Sequence, residues 1–95
     1  MRLVWTIRAR ADLTEIYTYI ATDDPNAARR MQAVVRSRVA GLARMPLMGR
    51  AGRVETTREL VIAGTPYVVV YRVAADEVQI LRVLHGARSW PESPS

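Results

Sequence analysis

The chain contains no cysteine, which excludes both a disulfide framework and a thiolate metal site. It has a single histidine and nine scattered acidic residues, so neither a metal nor any other cofactor is expected. No apolar run approaches the roughly 20 residues of a membrane span. The N-terminus also lacks the apolar segment of a signal peptide. A cytoplasmic protein without membrane contact is expected. Lysine is missing too: all 14 basic residues are arginine, against 9 acids, for a net charge of +5. GC-rich coding accounts for that choice as well as function does. Physically, arginine offers planar donor forks that suit carboxylates and phosphates. A surface of this sign faces either nucleic acid or an acidic protein partner.

What is present fits one domain over residues 1–95. A chain of this size buries roughly 60–65% of its unfolded surface, enough for one modest core. "RLVW" at 2–5 reads as a strand, and Thr6 can cap the helix that follows. In that helix Ala9, Leu13, Ile16, Tyr17 and Ile20 recur at helical spacing and form a core stripe. Arg8, Asp12 and Glu15 are assigned to the rest of the cylinder. In "TDDPNAA", Asp24 fits an N-cap and Pro25 the first helical position. The second helix is predicted from 25 to about 44, with Ala28, Met31, Val35, Val39 and Leu42 inward. The short connection makes the two helices an antiparallel hairpin.

Residues 46–56, "PLMGRAGRVET", read as a loop. Its glycines and arginines can cradle an anion or simply connect, and no nucleotide-binding fingerprint is present. "TRELVI", "YVVVYRV" and "VQILRVLH" are strands joined by the turns "AGTP" and "AADE", an antiparallel meander. The order β-α-α-β-β-β predicts an α+β fold, with the hairpin on one face of a small, mainly antiparallel sheet. Alternation puts Tyr67, Val69, Tyr71 and Val73 on one face of the middle strand. On the last strand it groups Val78, Ile80, Arg82 and Leu84 against Gln79, Leu81, Val83 and His85. The sheet face without helices is therefore expected to expose hydrocarbon for a partner.

Three stretches carry a family resemblance: "VWTIRARADLTEIYTYIATDDPNAA", "GRAGRVETTRELVIAGTPYVVVYRV" and "HGARSWP". In this order and spacing the chain resembles the RelE/ParE superfamily of bacterial type II toxins, nearer the ParE, plasmid-stabilisation branch. The resemblance implies a toxin held inactive by a cognate, ParD-like antitoxin, with DNA contacted only through that antitoxin. Members like RelE are ribosome-dependent messenger-RNA endonucleases, whereas members like ParE poison DNA gyrase.

Metal-free RNA cleavage needs acid–base groups and cations for the phosphorane charge. Glu59, Val61 and Val68 lie where the ribonuclease branch carries basic residues, which favours gyrase as the target. Arg88 matches a catalytic arginine of the ribonuclease branch, and His85 is the one side chain that ordinarily titrates near neutrality. These two form the alternative catalytic set; otherwise no catalytic residue is expected. His85 can equally be a strand-end histidine bonded to backbone or antitoxin. Arg58, Arg72, Arg82, His85, Arg88 and Trp90 are the expected antitoxin- or target-binding residues. Trp90 either packs over the core edge or makes contact, and 91–95 reads as a tail.

Overall fold

The computed structural model describes residues 1–88, 90 and 91; the remainder of the expected tail lies outside them. The chain forms β1 (Arg2–Trp5), α1 (Ile7–Ala21), α2 (Pro25–Ala40), β2 (Arg50–Ala51), β3 (Arg58–Val61), β4 (Tyr67–Ala74) and β5 (Glu77–His85). The strands make one sheet in the order β1-β5-β4-β3-β2. Every neighbouring pair is antiparallel except β1 and β5, which run parallel. This is the α+β arrangement expected, a helical hairpin on a mainly antiparallel sheet.

Local chemistry sets both helix starts. Thr6 Oγ1 accepts from the Ala9 amide at 3.1 Å and donates to the Ile80 carbonyl at 2.8 Å, so one hydroxyl caps α1 and ties it to β5. Asp24 Oδ1 accepts from the Ala27 amide, with Pro25 in the first turn. Helix α2 ends at Ala40, four residues short of the expected end, and one 3-10 turn (Gly41–Ala43) follows. Glycine is a poor helix former, and helix ends often tighten in this way. Strand β2 lies in the expected loop and pairs Arg50 with Glu59 and Ala51 with Arg58. Two residues carry too little pattern to be read as a strand.

The core joins Leu13, Val35, Val39 and Leu42 of the helical layer to Val69, Tyr71, Val78, Ile80 and Val83 of the sheet. Strict alternation fails in β5. Tyr71 pairs with Ile80 but Val70 with Arg82, so Leu81 is an extra residue, a β-bulge. The bulge swings Val83 onto the core face and moves Arg82 and Leu84 to the other, correcting the grouping expected from period two.

The second sheet face is also not open. Val68, Val70 and Leu84 are at most 4% exposed, and Glu59 and Arg82 are buried with them. The chain supplies the cover itself. Arg53 binds Glu59 and the Arg88 carbonyl, while the Trp90 ring lies 5.4 Å from the Arg82 guanidinium. The expectation of exposed hydrocarbon counted helices as the only cover and missed this strap; Val61 alone of these valines stays half exposed.

The β4–β5 connection has Ala75 at φ 51°, a left-handed conformation unfavourable for any residue with a Cβ. Ala75→Gly is expected to raise stability by about 0.5–1 kcal/mol, the steric relief less the extra chain entropy. A chemical-denaturation midpoint measures it.

Candidate functional site

Strand β1 stops at Trp5, whereas β5 continues to His85. Beyond the end of β1, helix α1 borders the exposed margin of β5 and leaves a groove of about 340 Å³. Glu15, Tyr19, Tyr67, His85 and Arg88 line it over a floor of Ile16, Val83 and Leu84. The groove brings His85 and Arg88 together, the two residues singled out for acid–base and electrostatic roles.

His85 sits at the strand end, where the Tyr67 ring meets it edge-on at 6.2 Å. Its Nδ1 accepts from the Ala87 amide at 3.2 Å, so the neutral ring carries its proton on Nε2. Burial, aided by nearby Tyr19, pushes the Tyr67 phenol up. Tyr67 is therefore a donor at neutral pH, not a base. Arg88 is held through its backbone: its amide donates to the His85 carbonyl and its carbonyl accepts from Arg53. Its side chain borders the groove.

The other expected binding residues do not join this pair. Arg58 donates to the Leu47 and Gly49 carbonyls and so fastens the loop before β2. Arg72 is exposed but bonds Gln79 across the β4–β5 pair, near the far end of those strands. Arg82, expected as a binding residue, is 6% exposed and ion-paired with Asp12 at 2.7 Å. Trp90 is half-buried against Arg82, nearer to the packing reading than to a free contact surface.

Asp12 is the residue that the sequence reading misplaced. Its carboxylate accepts from Arg82 Nε and Nη2 and from the Val83 amide. That amide faces the margin of β5 where β1 has already ended, so Asp12 takes the place of a missing strand partner. A signal was available: positions 9, 12, 13 and 16 are i, i+3, i+4 and i+7, one helical face.

On the second face Glu59 is 1% exposed. It accepts from the Arg53 amide at 2.8 Å and from the Arg53 and Arg50 guanidiniums. Burial opposes its charge, but the hydrogen bonds and charge of Arg53, with help from Arg50, outweigh it and hold the carboxyl below the usual glutamate range. A depressed folded pKa contributes stability above the unfolded value of about 4.3 and loses it as pH falls through the folded value. Thermal midpoints should therefore fall with acidification below that value. Glu59→Gln should flatten the decline while lowering the neutral-pH midpoint. Chemically, this position offers a neutralised carboxylate in place of a cation.

A helical hairpin on a sheet closed by its own first strand, with a basic C-terminal strap, defines a small toxin of the RelE/ParE type. The family described as "ParE toxin of type II toxin-antitoxin system, parDE" matches residues 3–90, and the chain belongs to it. It is 47% identical over 91 residues to a putative toxin, Y4kP, of Sinorhizobium fredii, covering 96% of this chain and 94% of that one. It is 45% identical to toxin RelE2 of Caulobacter vibrioides, covering 92% and 97% of the two chains. The solved chromosomal ParDE toxin–antitoxin system from P. aeruginosa contains a chain that superposes with a TM-score of 0.78 at 32% identity, covering 87% of this chain and 92% of that one. The protein is thus the toxin component of a type II toxin–antitoxin system, and a cognate antitoxin is implied. Among the described residues, no helix is long and apolar enough to cross a membrane.

Proposed function

We propose that this toxin arrests growth by binding DNA gyrase and blocking its cycle, and that a ParD-like antitoxin neutralises it by occupying its surface. The observation that carries this reading is the second sheet face. Where a ribonuclease needs cations, this chain has Glu59 locked to Arg53 and Arg50, together with Val61 and buried Val68. A charge-neutralised carboxylate and two valines stabilise no phosphorane. Purified toxin added to gyrase supercoiling and cleavage assays should inhibit at micromolar concentration. Folded toxin that leaves gyrase untouched defeats the proposal.

The antitoxin half of the proposal rests on charge and on exposed apolar side chains. Tyr19, Val34, Met45, Leu47 and Val61 are each at least 39% exposed on a chain of net charge +5. An acidic segment with apolar anchors suits such a surface. Co-expressed toxin and antitoxin should elute as one stable species, with DNA bound through the antitoxin.

The groove supports a second reading, a ribosome-dependent endoribonuclease using His85 and Arg88, because it holds both beside Glu15 and Tyr67. His85→Gln separates the two readings. It keeps a hydrogen-bonding side chain but removes the imidazole that acid–base catalysis would use. Growth arrest should survive this change in a gyrase binder and vanish in a histidine-dependent ribonuclease. We expect survival, with primer extension showing no discrete cuts in translated messages.

A further inference from the structure

On the flank of the hairpin opposite the His85 groove, β1, α1 and α2 enclose a separate polar cleft of about 390 Å³, lined by Trp5, Arg10, Thr14 and Arg36. The Arg36 guanidinium carbon lies 5.6 Å from the Trp5 ring centroid. A guanidinium held against an indole face is fixed in orientation, yet keeps its N–H edges available for paired hydrogen bonds. Arg10 opens onto the same space, and Thr14, one turn further along α1, adds a hydroxyl. The ion pairs among the described residues engage Arg2, Arg8, Arg50, Arg53 and Arg82, but neither Arg10 nor Arg36. Helix α2 itself carries four arginines and no acid. Among the described residues, two cations outside any of these ion pairs thus face an open space that no acidic side chain lines.

We propose that this cleft is a phosphate-binding site, in which Arg36 and Arg10 clamp one phosphoryl group and the Thr14 hydroxyl donates to a third oxygen. Charge chooses phosphate over carboxylate. Two guanidiniums and a hydroxyl offer more charge and more donors than a single carboxylate accepts, whereas a terminal phosphate carries roughly −1.5 to −2 and three acceptor oxygens. The phosphate can belong to a free nucleotide or to a nucleic-acid backbone. Arg29 lies on the same flank of α2, about 10 Å further along its axis, where it meets a later phosphate of a chain but not one of a mononucleotide.

Titration calorimetry of the full-length toxin tests the site with inorganic pyrophosphate and, separately, with a short DNA duplex. Wild type should bind pyrophosphate. Arg36→Ala and Arg10→Ala should each weaken binding by roughly tenfold or more, the loss of a charge-assisted pair of hydrogen bonds. Arg36→Lys keeps the charge but loses the planar fork, and should fall between. Arg30→Ala, an equal loss of charge elsewhere on α2, should change binding less than about twofold. Duplex affinity lost in Arg29→Ala while pyrophosphate affinity persists marks a nucleic-acid backbone; equal retention of both marks a nucleotide. Each of these identifies a phosphate source and supports the site. No pyrophosphate binding by folded wild type overturns the proposal. So does a loss in Arg30→Ala equal to that in Arg36→Ala, which is general electrostatics. Equal affinity for an acidic peptide lacking phosphate also overturns it, since the cleft is then a carboxylate site. Thermal melts of each variant confirm that the changes are read on folded protein.

Discussion

Replacing Asp12 with alanine is expected to destabilise the fold by about 3–5 kcal/mol, the usual cost of removing one partner from a buried ion pair. Two groups lose the Asp12 carboxylate by the change. The Arg82 guanidinium, 7% exposed, loses a bidentate acceptor, and the Val83 amide loses the Asp12 oxygen to which it donates at the margin of β5. Arg8, the other cation near Asp12, is surface-exposed at 3.5 Å and contributes little. A domain of this size is stable by only about 5–15 kcal/mol, so the melting temperature should drop by on the order of 20 °C. The double variant Asp12→Ala, Arg82→Met tests the cause. It removes the buried guanidinium along with its Asp12 acceptor and should recover part of the loss. If the single variant melts within a few degrees of wild type, the buried pair does not hold α1 to β5.

The second large effect is expected at Tyr71. This side chain is fully buried between hairpin and sheet. Its hydroxyl donates to the Pro46 carbonyl at 2.7 Å and accepts from the Gly49 amide at 2.8 Å. Burial pushes the phenol up despite the Gly49 hydrogen bond and nearby Arg58, so it stays protonated and fit for both roles. Tyr71→Ala should cost about 3–5 kcal/mol through the cavity alone. Tyr71→Phe keeps the ring but leaves the buried Gly49 amide unsatisfied, at about 1–3 kcal/mol, and costs less at the part-buried Pro46 carbonyl. Hydrogen exchange should locate the Phe damage at 46–49, with α1 protected nearly as before. The approach is tight: a Cβ at Gly49 meets the Tyr71 ring and hydroxyl at 2.7 Å, so only glycine lets this loop lie on the tyrosine.

Much of this molecule was legible as pattern. Helical spacing located Ala9, Leu13, Val35 and Val39 correctly in the core, and cap chemistry located both helix starts. Strand alternation held throughout β4. It broke in β5 because one extra residue, Leu81, resets the period, and nothing in "QILRV" announces a bulge. The site was less legible, for a related reason. His85 and Arg88 were recognisable by type, and they converge because β1 is shorter than β5. The burial of Arg82 and Glu59 was not legible, since charge ordinarily implies solvent. Each is buried because an opposite charge outside its own strand reaches it: Asp12, seventy residues away, and Arg53, six residues back on the preceding loop. Sequence periodicity records which face a residue takes, not which distant group will meet it there.

The parallel pairing of β1 with β5 has a consequence for how the toxin comes into being. Leu3 lies beside Val78 and Trp5 beside Ile80, so the first strand made has no place to dock until the last strand has left the ribosome. The helical hairpin joins neighbours in sequence and can form early, but the sheet it packs against closes only when the two ends meet. Contacts so far apart in sequence slow folding. During synthesis the growing chain therefore presents an unfinished sheet, with β1 unpaired and one edge of β4 open until β5 emerges. An antitoxin present during synthesis meets a toxin whose sheet is complete only after β5 has emerged.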